Sequence, residues 1–255
     1  MALLDVIHIK KIYSTKQSSQ QCIALKDISF KVEPGEFIAV MGPSGSGKTT
    51  LLNILASLDK PTAGKVILDG QDMGKIKNRE LSSFRRNNLG FVFQDFNLLD
   101  TFSVKDNILL PLVLSRTPYE KMEARLMPLA KQLGIVSLLE KYPYEISGGE
   151  KQRCAAARAL ITEPKLLLAD EPTGALDTKS SANLMRMLER FNSLGQTILM
   201  VTHSAQAAAY ARRVLFIRDG ELFNQLYKGD EDNRTFFEKI MSATTVLTAG
   251  GEDFA

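Results

Sequence analysis

Gly42-Pro43-Ser44-Gly45-Ser46-Gly47-Lys48-Thr49 fits the pattern G-x-x-x-x-G-K-[ST] in full. No other segment limits the fold so sharply, because such a loop is built where a buried strand hands the chain to a helix. Both neighbours are legible. Phe37-Ile38-Ala39-Val40-Met41 is a short apolar run, and residues 48–58 have the pattern of a helix. Glycines let backbone N–H groups converge on β- and γ-phosphate oxygens without a Cβ in the way. Lys48 adds a mobile positive charge, the helix N-terminus adds its dipole, and Thr49 offers a hydroxyl to Mg2+. A glycine- and serine-rich loop with a chance lysine would lack this context. The expected ligand is the triphosphate of a nucleotide.

Leu166-Leu167-Leu168-Ala169-Asp170-Glu171 supplies the complement. An apolar strand puts Asp170 at its C-terminal end, where open α/β sheets bind ligands. There Asp170 can hold Mg2+, through water, and Glu171 can orient and deprotonate an attacking water. Two adjacent carboxylates alone would read as a solvated strand end. Beside the phosphate loop they read as a hydrolytic pair.

The remaining pattern is consistent with one α/β unit. Residues 3–13 and 22–32 alternate as strands around a polar insert at 14–21, and further strands are expected at 65–68, 90–94, 166–169 and 197–201. Asp69-Gly70 and Asp219-Gly220 mark hairpin turns. Helices are expected at 79–86, 150–161, 178–191 and 235–241, and the middle stretch 104–141 is helical, punctuated by Pro111, Pro118, Gly134 and Pro143. Strands alternating with helices imply a mixed, largely parallel sheet with flanking helices, antiparallel strands at the N-terminal end and an inserted helical subdomain.

Composition excludes several classes. With 32 Lys+Arg against 29 Asp+Glu over 255 residues, the net charge of +3 leaves no nucleic-acid footprint. Cys22 and Cys154 form neither a disulfide framework nor paired zinc spacing. No apolar run approaches the roughly 20 residues of a membrane span, and the first residues alternate like a strand instead of forming a signal peptide. A cytoplasmic chain that reaches a membrane by docking onto another protein is expected.

Ile146-Ser147-Gly148-Gly149-Glu150-Lys151-Gln152-Arg153 narrows the choice. Ser147 and Glu150 stand at S-x-x-E, a capping box that starts the next helix. The two glycines between them weaken that start by about 0.5–1 kcal/mol each relative to alanine, a cost that capping alone does not explain. A backbone lying against a phosphate does explain it. This segment, about twenty residues before LLLADEPT, resembles the signature motif of ATP-binding-cassette (ABC) ATPases. The resemblance runs from Leu3 to about Lys228. It implies an ABC fold of the P-loop NTPase class, with ATP and Mg2+ as ligands.

The same resemblance assigns roles residue by residue. Tyr13 falls where the family stacks an aromatic ring on adenine, and Thr50 joins Gly42–Thr49 among the nucleotide contacts. Gln94, after FVF, matches the Q-loop and would share Mg2+ with Thr49 and Asp170. Gly174-Ala175-Leu176-Asp177 matches the D-loop, and His203 the switch histidine. Glu171, His203, Lys48 and Gln94 would be catalytic, while Ser147, Gly148, Gly149, Glu150 and Asp177 would act in trans on a second copy's ATP. Simpler roles exist for some: Asp177 can merely cap the helix that follows, and Tyr13 can be core.

FVFQDFNLLDTFSVKDNILLPL, ADEPTGALD and TFFEKIM further resemble the ATPase subunits of Bce-type peptide-antibiotic transporters, within the MacB/LolD-like group. That implies an ATP-bound homodimer beneath a Bce-type, FtsX-like integral-membrane permease, on the inner face of the cell membrane. It also implies resistance to peptide antibiotics such as bacitracin by export or target release, and a possible link through the permease to a sensor histidine kinase. A MacB/LolD-like motor for lipoprotein release or transmembrane mechanical signalling is the alternative. The absence of coiled-coil arms and of a second cassette argues against DNA-repair and translation-type relatives. The expected organisation is one ATPase domain, 1–243, with the helical subdomain at about 97–162 and a disordered tail, 244–255. Asp95, Phe96, Leu98, Leu99 and Phe102 either form a permease groove or pack the insert. Phe236, Phe237, Ile240 and Met241 share a helix face that packs on the body or meets a partner.

Overall fold

The structure, a computed structural model, describes residues 1–14 and 21–249. Most of the polar insert at 14–21, and residues 250–255 of the expected tail, lie outside the described residues. In chain order the elements are β1 (Leu4–Ser14), β2 (Gln21–Val32), β3 (Phe37–Met41), α1 (Lys48–Leu55), β4 (Ala63–Leu68), β5 (Gln71–Asp72), α2 (Asn78–Asn88), β6 (Leu89–Val92), α3 (Val104–Leu114) and α4 (Tyr119–Leu133). There follow α5 (Gly148–Leu160), β7 (Leu166–Asp170), α6 (Thr178–Ser193), β8 (Thr197–Val201), α7 (Ala205–Ala208), β9 (Arg213–Arg218), β10 (Glu221–Tyr227) and α8 (Asn233–Ala249).

Two compact units divide the chain. The first comprises Met1–Lys77 and Leu199–Ala255. Its strands run in the order β5-β4-β1-β2-β10-β9-β3-β8. β1 pairs antiparallel with both β2 and β4, and β3 runs parallel to β9. Every residue of β3 is buried, which is why its sequence is an unbroken apolar run without alternation. Asp69-Gly70 joins β4 to β5 and Asp219-Gly220 joins β9 to β10; all four residues have positive φ, from 48° to 78°, the geometry of a two-residue hairpin turn.

α8 continues to Ala249, through 244–249, which the sequence reading assigned to a disordered tail. The reason is a buried stripe: Phe236, Ile240 and Leu247 are at most 4% exposed, and Arg218 Nη1 donates to Leu247 O at 3.4 Å. The four-residue face divides accordingly, since Phe236 and Ile240 are buried while Met241 is 45% exposed.

The second unit, Asn78–Ile198, is wider than a helical insert at 97–162. α5 packs on β6 as well as on α3, so the short parallel pair β6–β7 belongs with the helices. Val104, Ile108, Leu126, Ala130, Ile135, Cys154 and Ala157 form its core. No helix among the described residues is long and apolar enough to cross a membrane.

Candidate functional site

The phosphate loop lies in the first unit and is shaped by close backbone approach. Gly47 precedes α1 with φ 102°, and a Cβ there would fall 2.5 Å from Ala24 O and 2.6 Å from Leu25 Cδ2. A Cβ on Gly42 would meet Ile217 O at 2.0 Å. Glycine is therefore required where the loop leans on β2 and β9. α1 starts without a side-chain cap and with no acidic residue in its first turn, so the positive end of its dipole is left for an anion. Ser46 is 3% exposed, and its Oγ has no partner among the described residues. Lys48 Nζ donates to Gly42 O at 2.9 Å and Pro43 O at 2.8 Å, which keeps the ammonium within the loop. Pro43, Ser44, Gly45 and Thr49 are exposed. An uncapped helix start, an orphaned hydroxyl and a tethered cation fit a phosphate ligand.

Tyr13 and His203 also lie in this unit. Tyr13 is 42% exposed, its hydroxyl donates to Asp59 Oδ2 at 2.8 Å, and Lys11 Nζ stands 4.7 Å from the ring centroid. Burial, then the Asp59 carboxylate, raises its phenol above the ordinary range, while the Thr50 hydroxyl opposes them. Burial also pushes Asp59 up, but Lys11 at 2.6 Å and the Tyr13 hydroxyl outweigh it and hold the carboxyl below its usual value. The ring is thus fixed at its polar end. His203 is exposed and follows Thr202, whose N–H donates to Val40 O at 3.1 Å, so it leaves the sheet beside the end of β3.

The second unit collects Gln94, the signature segment, Asp170, Glu171 and Asp177. β6 and β7 run parallel with Val92 opposite Ala169, which puts Asp170 at the end of β7 and Gln94 and Glu171 just beyond the two adjacent strand ends. Glu171 adopts φ 45°, a strained conformation for a residue with a side chain, and Gly174 N–H donates to its carbonyl at 2.9 Å. A Cβ on Gly174 would lie 3.0 Å from Gln94 Cδ, so Gln94 rests on the D-loop glycine.

Ser147 forms the capping box of α5: its N–H and Oγ donate to Glu150 Oε2 at 2.8 and 2.7 Å, and Glu150 N–H donates to Oγ at 3.4 Å. Those bonds from Ser147 lower the Glu150 carboxyl against a raising effect of burial. Asp177 caps α6, accepting from Ser180 N at 2.9 Å and Ser180 Oγ at 2.6 Å, which lowers its carboxyl. The glycines part company here. A Cβ on Gly149 would strike Ser180 Oγ at 2.7 Å, so packing against α6 already requires glycine. A Cβ on Gly148 would meet nothing nearer than Phe96 Cζ at 3.7 Å. Only Gly148 keeps the backbone-to-phosphate explanation as its sole one.

Thr49, Gln94 and Asp170 are all oxygen donors, the hard ligands Mg2+ prefers, and no cluster of three or more His, Cys, Asp or Glu among the described residues forms a metal cage. A cation held by one carboxylate, a hydroxyl and phosphate oxygens fits that set. Sequence reasoning assigned no role to Lys11, Asp59, Gln152 or Arg158. Gln152 could have been noticed as a polar residue on an otherwise apolar, alanine-rich helix face. Arg158 on the same helix donates to Asn97 O at 2.5 Å and Phe96 O at 2.9 Å, pinning two successive residues of positive φ behind Gln94.

Comparison with known proteins shows the family. The ABC transporter family matches residues 25–174. The bacitracin export ATP-binding protein BceA of Halalkalibacterium halodurans is 50% identical over 97% of both chains, and the ABC transporter ATP-binding protein YxdL of Bacillus subtilis is 49% identical over 99% of this chain and 97% of that one. The macrolide export ATP-binding/permease protein MacB of Campylobacter jejuni is 40% identical over 88% of this chain, which spans 35% of MacB. Among solved structures, the dimeric bacterial ABC transporter cassette MJ0796 has a TM-score of 0.79 and 36% identity, covering 88% of this chain and 98% of that one. The same cassette, as a post-hydrolysis dimer bound to ADP and Pi, gives 0.79 at 35% identity, again covering 88% and 98%. The chain belongs to the ABC transporter family, as one of its ATP-binding subunits.

Proposed function

We propose that this ATPase drives a membrane permease conferring resistance to peptide antibiotics such as bacitracin, by export or by freeing their target. The observation that carries the reading is the 50% identity with BceA over 97% of each chain. The subunit works on the inner face of the membrane as an ATP-closed homodimer. Gly42–Thr50 hold the triphosphate and Tyr13 stacks on the base. Bound Mg2+, held by Thr49, Gln94 and Asp170, supplies charge neutralisation on the phosphate oxygens. Glu171 takes a proton from the attacking water, and Lys48 and His203 steady the charge that develops on the γ-phosphate. The partner subunit's Ser147, with the adjoining glycine amides and Asp177, completes the pocket. ATP thus stabilises the closed pair by binding it better than the open one. Leu99 and Phe102, 44% and 38% exposed, are the docking points for the permease, whereas Leu98 packs into the second unit's core. Through that permease a sensor kinase can be engaged.

The similarity to MacB supports a second reading, a MacB/LolD-like motor for lipoprotein release or mechanical signalling. Glu171→Gln decides the common ground. Turnover falls about 10²–10⁴-fold while ATP binding persists and the dimer accumulates in gel filtration. Near-normal hydrolysis rejects Glu171 as base. Cells carrying Glu171→Gln lose bacitracin tolerance if the resistance reading holds, and retained tolerance turns the choice to the MacB-like motor.

A further inference from the structure

Gln152 is fully buried in the first turns of α5, among alanines and Cys154. Its Nε2 donates to Phe93 O at 3.2 Å and to Pro172 O at 2.8 Å. Phe93 immediately precedes Gln94, and Pro172 immediately follows Glu171. Both acceptors are backbone carbonyls, so the nitrogen end of the amide must face them, and Gln152 Oε1 is left buried with no partner among the described residues. A methionine or leucine would avoid the orphaned Oε1 but would take this donor away from the Phe93 and Pro172 carbonyls, so the amide is kept for the two loops it joins.

We propose that Gln152 is a positioning residue for hydrolysis. One side-chain amide staples the Q-loop to the loop after β7 and so fixes the spacing between Gln94 and Glu171. It touches neither nucleotide nor attacking water. β6 and β7 are hydrogen-bonded only as far as Val92 and Ala169, so beyond those residues the two loops are joined by other means. Gln152 provides one such link, and the Gln94 side chain lying on Gly174 provides a second contact from the opposite loop. The same helix carries Ser147 at its N-cap. A displacement of α5 therefore reaches both catalytic loops through the Gln152 amide. The inference rests on the roles proposed for Gln94 and Glu171.

The test uses the purified full-length chain with Gln152→Met, which keeps the volume and removes both donors, and Gln152→Glu, which replaces them with a carboxylate that repels the two carbonyls. Steady-state ATPase, binding of a fluorescent ATP analogue without Mg2+, the Mg2+ requirement and thermal unfolding are measured together, with Glu171→Gln alongside. For Gln152→Met, kcat falls about 10–100-fold, the loss typical of a slightly misplaced catalytic group. The Mg2+ requirement rises and analogue affinity stays near wild type, while the unfolding temperature falls modestly because two carbonyls lose their donor. Gln152→Glu, if folded, loses at least as much kcat. Wild-type kcat and Mg2+ requirement in Gln152→Met overturn the proposal. So does a loss of analogue affinity in step with kcat, since that marks a general disturbance of the fold and not a misplaced pair of loops. If Glu171→Gln turns over normally, the assignment of the base has failed; if it is inactive and Gln152→Met is normal, only the staple has.

Discussion

The starts of α1 and α5 are both helix N-termini entered through glycine, yet they treat their polar groups in opposite ways. At α1 no side chain caps the helix, its first turn holds no acid, and Ser46 Oγ is buried with no partner among the described residues. At α5 Ser147 and Glu150 satisfy each other, and Asp177 does the same with Ser180 at the start of α6. The first segment advertises an anion in its own geometry. The second is already satisfied as protein structure, and an anion arriving there has to draw the Ser147 hydroxyl away from Glu150. Under the proposed function, Ser147 would carry a phosphate contact on top of its structural role, although its geometry shows only the latter.

The largest effect is expected where the contrast is sharpest. Gly47→Ala forces a side chain into left-handed backbone and within 2.5 Å of Ala24 O, for a combined cost of about 3 kcal/mol or more. Nucleotide affinity and the unfolding midpoint in urea both drop. A Gly47→Ala chain that binds ATP like wild type removes the claim that this loop is built by glycine.

Gly149→Ala comes next, at about 1–3 kcal/mol of overpacking against Ser180. Adding Ser180→Gly restores part of that stability, because both close atoms belong to the serine side chain. Gly148→Ala, whose Cβ would make only ordinary contacts with Phe96 and Leu176 at 3.7 and 3.9 Å, leaves the urea midpoint near wild type and weakens ATP-dependent dimerisation instead. Equal behaviour of the two glycines would erase the distinction between a packing glycine and a ligand glycine.

Legibility in the sequence followed the same physics. β3, β7 and β8 were readable because strands covered on both faces are uninterrupted apolar runs. The Asp-Gly hairpins were readable because their turns need positive φ. α7 is a four-residue helix in an alanine-rich stretch with no periodicity to detect, and the continuation of α8 depends on Leu247 finding Arg218, a partner 29 residues away. At the site, the motif residues were legible because the loop and signature patterns are contiguous in sequence, and few local backbone solutions exist for a phosphate cradle. Gln152 and Arg158 act on backbone carbonyls, which any sequence supplies. Asp59 meets Lys11 from 48 residues away. None of these partners is named by a local pattern, although Gln152 itself stands out as a polar residue on an alanine-rich helix face.

The smallest effect probes whether the box at α5 is electrostatic as well as geometric. Ser147 lowers the Glu150 carboxyl through its hydroxyl first and its N–H second, against the raising effect of burial. A carboxyl with a folded value below its unfolded one adds stability above about pH 4.5, and that share disappears as the pH falls through the lowered folded value. Glu150→Gln retains an acceptor for the Ser147 N–H but has no charge to place at the helix N-terminus. At neutral pH it is less stable than wild type by about 0.5 kcal/mol. The gap in unfolding midpoint narrows as the pH falls through the lowered folded value, where the wild-type carboxyl itself loses its charge. A gap that stays constant with pH means that the carboxylate's charge contributes nothing to the box and that shape alone holds the start of α5.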